Sequence, residues 1–222
     1  MRLATERIAP VYSTPGLHAN AHAAQTVVRR DGLTHRTILV ATDGSAESRA
    51  ATAIASVLAR QRHAHVVAMR AFDYGAPITH SDVVITPWMN ESDALEISRH
   101  LLRAELRRDI GEVGDWDVRA VAGRPAHAVA AEANALDAAL IVMGLRRARQ
   151  WGGVIRHDTA LRLLGEVRVP VLATTGALAE APRRIVLGTD FSASSIRAAR
   201  VALSVIADQG TLVLAFVQPS PD

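Results

Sequence analysis

The chain has 222 residues, 49% of them hydrophobic, and a formal net charge of +3, enough apolar material to bury a sizeable core. It contains no cysteine, which excludes disulfides, thiolate nucleophiles and Cys-ligated metals and accords with a reducing, cytoplasmic setting. All 25 basic residues are arginine, so the lysine of a Walker loop and Schiff-base chemistry are excluded too.

Residues 1–35 read as a disordered leader, broken by Pro10, Pro15 and Gly16 and without the apolar run of a secretory signal. No segment reaches membrane-spanning length. The absence of a dominant basic stripe argues against a nucleic-acid partner. The first strong element is Thr37–Thr42, a β-branched strand that stops at Asp43-Gly44-Ser45 and gives way to helical periodicity. Ser45 is the expected N-cap of a helix over 46–60, with Ile54, Val57 and Leu58 on its inner face. His65–Met69 reads as a second buried strand, with His63 and His65 alternating on one face of it.

Residues 72–90 lack a clear period and read as a long loop. A helix is predicted over Glu91–Ile110, with Leu95, Leu102, Leu106 and Ile110 as its apolar stripe, acids early and arginines late. There follow a strand over Trp116–Ala122, the turn Gly123-Arg124-Pro125, a helix over 126–136 and a strand over Ala139–Met143. Beyond a loop over 144–157 come a helix over 158–165 and a strand over Val169–Thr174. Strands alternating with helices predict a doubly wound α/β fold with a parallel sheet, whose ligands sit beyond the carboxyl ends of the strands.

An internal repeat is the most informative feature. Arg36-Thr37-Ile38-Leu39-Val40-Ala41-Thr42-Asp43-Gly44-Ser45-Ala46 recurs as Arg183-Arg184-Ile185-Val186-Leu187-Gly188-Thr189-Asp190-Phe191-Ser192-Ala193. The second copy continues as a helix over 194–207 and a strand over Leu212–Val217. A complete copy would need about 100 residues more. The expected organisation is therefore a leader over 1–35, a domain over 36–176 and a partial second domain over 183–222.

These residues resemble the universal stress protein family in tandem form. The resemblance is carried by the opening strand through Ser45, the Gly123-Arg124-Pro125 turn, Ala139–Gly144, and Val169-Pro170-Val171-Leu172. It implies a five-stranded parallel sheet, dimerisation through the last strand (here Val169 to Thr174), and a nucleotide site built on the acidic residue after strand one and a glycine-patterned loop after strand four. On this chain that site falls on Thr42, Asp43, Met143, Gly144, Arg146, Arg147, His157, Asp158 and Thr159. Asp43 would face adenosine, and Gly144 matches the first loop glycine. The second glycine falls on Arg147, the third on His157, and the loop hydroxyl on Asp158. Side chains at those points obstruct the approach of phosphate to backbone amides, and Asp158 repels it, so weak or absent ATP binding is expected. Arg146, Arg147, Arg149 and Arg156 offer side-chain anion contacts instead, or form a solvated loop.

Asp43 has an equally simple reading as the brace of the turn into the helix. Neither a nucleophile elbow nor a dinucleotide fingerprint is present, and no paired carboxylates mark a cleft. The expected function is thus a non-enzymatic stress-response module acting through dimerisation and weak nucleotide or anion binding. The alternative is an ATP-binding or ATP-hydrolysing protein of the same fold group.

Overall fold

The computed structural model describes residues 33, 36–72, 78–80, 83–85, 90–145, 159–176 and 180–216. The chain divides into two compact units, one spanning Leu33–Ala179 and one containing Glu180–Asp222. Of the expected leader only Leu33 is described, and it is buried.

The larger unit is built on β1 (Thr37–Ala41), α1 (Ala46–Arg62), β2 (His65–Phe72), β3 (Ile78–His80), β4 (Val83–Ile85), α2 (Glu91–Ile110), β5 (Asp117–Ala122), α3 (Pro125–Ala135), β6 (Leu140–Gly144), α4 (Thr159–Glu166) and β7 (Val171–Thr174). Five strands form one parallel sheet in the order β5-β2-β1-β6-β7, which is the doubly wound sheet expected. The central strand β1 is paired on both edges, so its apolar run Ile38-Leu39-Val40 is wholly buried. Leu39, Val67, Met69, Ile141 and Met143 share one face with α3 and α4. On the opposite face Ala68 packs against Leu102 and Leu106 of α2, while α1 runs along β1 and β6 and against α2.

The departures from expectation are local. The segment read as an unbroken loop contains an antiparallel hairpin, with Ile78 opposite Ile85, because its β-branched residues are too few to show a period yet long enough to pair. His63 is not on a strand: it caps α1 in the left-handed conformation at φ 50°, leaving His65 alone at the start of β2. Along α1, Val57 is only half-buried, and Ala51, Ile54, Ala55 and Leu58 face the core. Along α2, Leu95 and Ile110 are half-buried while Ala94, Ser98 and Glu105 are buried. The last strand begins at Val171, since Pro170 has no N–H to give the ladder; its carbonyl still accepts from Ile141 N at 2.9 Å.

The second unit comprises β8 (Arg184–Gly188), α5 (Ala193–Val205) and β9 (Thr211–Ala215), with β8 and β9 pairing in parallel as a separate two-stranded sheet. No described helix is long and apolar enough to cross a membrane.

Candidate functional site

Strand order reverses between β1 and β6, so the chain leaves the sheet in opposite directions on either side of that pair. Such a point opens a crevice beyond the carboxyl ends of the strands. Thr42 and Asp43 follow β1 there, and Gly144 ends β6.

The corner after β1 is fixed by a set of short-range bonds. Gly44, at φ 76°, turns the chain and donates its N–H to Thr42 Oγ1 at 3.2 Å. Ser45 N donates to Asp43 Oδ1 at 3.0 Å, and the Ser45 hydroxyl caps α1 by accepting from Ser48 N at 3.2 Å. Thr42 Oγ1 donates to Ser48 Oγ at 3.0 Å, and Ser48 Oγ in turn donates to Ser45 O at 2.9 Å. Asp43 is exposed and part of this brace, which is the simpler of its two expected roles.

Gly144 is required for a reason that has nothing to do with phosphate. A β-carbon there would lie 2.5 Å from both Glu47 C and Ser48 N, inside the backbone of the first turn of α1. The strand end and the helix start therefore touch main chain to main chain. Thr174, buried at the end of β7, seals the same junction, its hydroxyl 3.4 Å from the Met143 carbonyl and 3.5 Å from that of Glu47.

Of the remaining expected site residues, Met143 points its side chain into the core beneath α3 and α4 and is 7% exposed. Thr159 opens α4 and is half-buried. Arg146, Arg147, His157 and Asp158, with Arg149 and Arg156, lie outside the described residues. Ser48 and Thr174 were not among the residues singled out from sequence. Ser48 had a signal: Ser195 stands in the same place in the repeat, two residues beyond the stretch compared.

The repeat rebuilds this corner atom for atom. Thr189 Oγ1 donates to Ser195 Oγ at 3.0 Å, Phe191 N to Thr189 Oγ1 at 3.0 Å, Ser192 N to Asp190 Oδ1 at 2.9 Å, and Ser195 N to Ser192 Oγ at 3.2 Å. Hydrogen bonds from Ser192, its hydroxyl first and its amide second, hold the Asp190 carboxyl down at about 2. Among the described residues no group of three His, Asp or Glu is placed to hold a metal.

Residues 34–175 match the model of the universal stress protein family. The chain belongs to that family. Its universal stress protein domain is 30% identical over 141 residues to the Thermus aquaticus universal stress protein of the QAH/OAS sulfhydrylase 3' region, covering 62% of this chain and 96% of that protein. Among solved structures, a universal stress protein from Archaeoglobus fulgidus aligns with a TM-score of 0.63 at 17% identity, over 86% of this chain and 68% of that one. A universal stress protein in complex with cAMP aligns with a TM-score of 0.45 at 18% identity, over 65% of this chain and 99% of that one.

Proposed function

We propose that this universal stress protein is a non-enzymatic stress-response module that acts by dimerising and binds adenine nucleotides weakly at the β1–β6 corner. The observation that carries this reading is the packing of Gly144. The glycine that matches the first position of the family's phosphate loop sits against the α1 backbone, so it serves the fold and does not by itself supply a phosphate cradle. In sequence, the family pattern's other glycines and hydroxyl are replaced by Arg147, His157 and Asp158, a substitution that disfavours backbone contact with phosphate.

Dimerisation is assigned to β7. The two edges of the sheet differ: β5 is charged, with Arg119 bridging Asp117 and Glu132, whereas β7 offers Val171, Leu172 and Ala173. Charged edges resist further strand pairing and apolar ones invite it. A tandem organisation is supported by the rebuilt corner at Thr189–Ser195 and by the Archaeoglobus alignment, which extends past the residues matched by the family model.

Titration calorimetry of the purified chain with ATP tests the nucleotide part. The expected dissociation constant is no tighter than high micromolar; submicromolar binding, or ATP retained through purification, overturns it.

A further inference from the structure

A groove of about 620 Å³ runs between the first turn of α3 and the outer stripe of α4. Arg124 and His127 border it on the α3 side; Thr159, Arg162 and Glu166, spaced to share one helical face, border it on the α4 side. Thr42, Asp43, Met143 and Gly144 do not line it, so it is distinct from the β1–β6 corner, and among the described residues Thr159 is the one common to both. Its size suits a small organic ligand.

Its electrostatics are uneven. At one end His127 Nδ1 and Glu166 Oε2 stand 3.5 Å apart, so that carboxylate already has a partner. Arg124 and Arg162 are exposed, and among the described residues neither pairs with a carboxylate. The first turns of α3 and α4 carry no acidic residue, and the N-cap of α3 makes no side-chain bond. Two guanidinium forks with no carboxylate partner among the described residues, on one cavity, match the geometry of phosphate oxygens better than a lone carboxylate. Glu166 at the far end repels a second anion and accepts from hydroxyls.

The geometry points to a second ligand site in which a small phosphate monoester lies between α3 and α4, its phosphate on Arg124 and Arg162 and its hydroxyl-bearing body toward Glu166. Ribose 5-phosphate is the probe, titrated calorimetrically into the full chain beside ribose, inorganic phosphate and adenosine. Ribose 5-phosphate should bind more tightly than inorganic phosphate, with ribose giving no heat. Arg124→Ala and Arg162→Ala should each weaken it about tenfold or more, the loss of one charge-assisted bond. Both positions are exposed, so circular dichroism should show the parent fold in each variant. Glu166→Gln should tighten inorganic phosphate, a gain that misfolding cannot imitate. Absence of heat with ribose 5-phosphate, or parental affinity in both folded arginine variants, overturns the assignment. So does a parallel loss of adenosine binding in those variants, which would merge the groove with the β1–β6 corner. Sedimentation with vesicles containing phosphatidic acid, without binding of ribose 5-phosphate, would make the source a lipid headgroup and overturn the small-molecule assignment.

Discussion

Thr42 donates its hydroxyl proton to Ser48 at 3.0 Å, and 147 residues later Thr189 donates to Ser195 at 3.0 Å. The bond ties the end of a strand to the second turn-forming serine of the helix that follows. Ser48 is 2% exposed, and without its hydroxyl the Thr42 proton loses its acceptor, while Thr42 Oγ1 still accepts from Gly44 N and the Ser45 carbonyl from Arg49 N. Ser48→Ala should lower the stability of the large unit by about 1–2 kcal/mol in urea denaturation. Ser195 is only half-buried, and Ser195→Ala should cost less.

Gly144 tests whether the corner is a packing device. Gly144→Ala pushes a methyl group into the Glu47–Ser48 main chain, which cannot rotate aside as a side chain would. The expected cost is about 1–3 kcal/mol, read from the urea midpoint. A variant as stable as the parent would show that the strand end and α1 can separate cheaply.

Arg70 and Glu105 form an ion pair inside the apolar face shared by β2 and α2, with side chains 6% and 9% exposed. Nη1 lies 3.5 Å from Oε1, and Nη2 binds Oε2 closely. Removing Arg70 takes the guanidinium from a buried carboxylate, so Arg70→Met alone should cost about 3–5 kcal/mol, whereas Arg70→Met with Glu105→Leu should recover most of the loss. Ser98, whose buried hydroxyl makes no bond among the described residues, should tolerate Ser98→Ala with stability equal or higher.

Asp190 should show its hydrogen bonds in its titration. Its folded value of about 2 lies below the ordinary 3.8, so the folded state binds this proton more weakly than the unfolded chain. The resulting stabilisation of the second unit is complete above about pH 4 and is lost as pH falls toward 2. Carbon-detected NMR should place the Asp190 carboxyl midpoint near 2 in the parent and closer to 3.8 in Ser192→Ala.

If β7 is the dimer edge, light scattering after size exclusion should give a dimer mass for the parent at micromolar concentration. Val171→Asp, which puts a charge on the apolar edge, should shift it to monomer. A parent that stays monomeric, or a dimer indifferent to this change, removes β7 from the assembly.

Sequence by itself determined the alternation of strands and helices, because β-branched runs such as Thr37–Ala41 and capped amphipathic stretches such as Glu91–Ile110 state their period within a few residues. It also determined the turn chemistry after β1, since Gly44 N bonds to Thr42 Oγ1 and Ser45 N to Asp43 Oδ1, both two residues back, and the repeat shows the same solution twice. Tertiary structure alone decided what those residues face. Ser98 and Glu105 look like solvent positions on α2 until Arg70 of β2 arrives opposite Glu105, and nothing local to Gly144 tells that the first turn of α1 packs against it. Burial and close approach depend on partners far apart in the chain, and local periodicity carries no information about which partner fills the space.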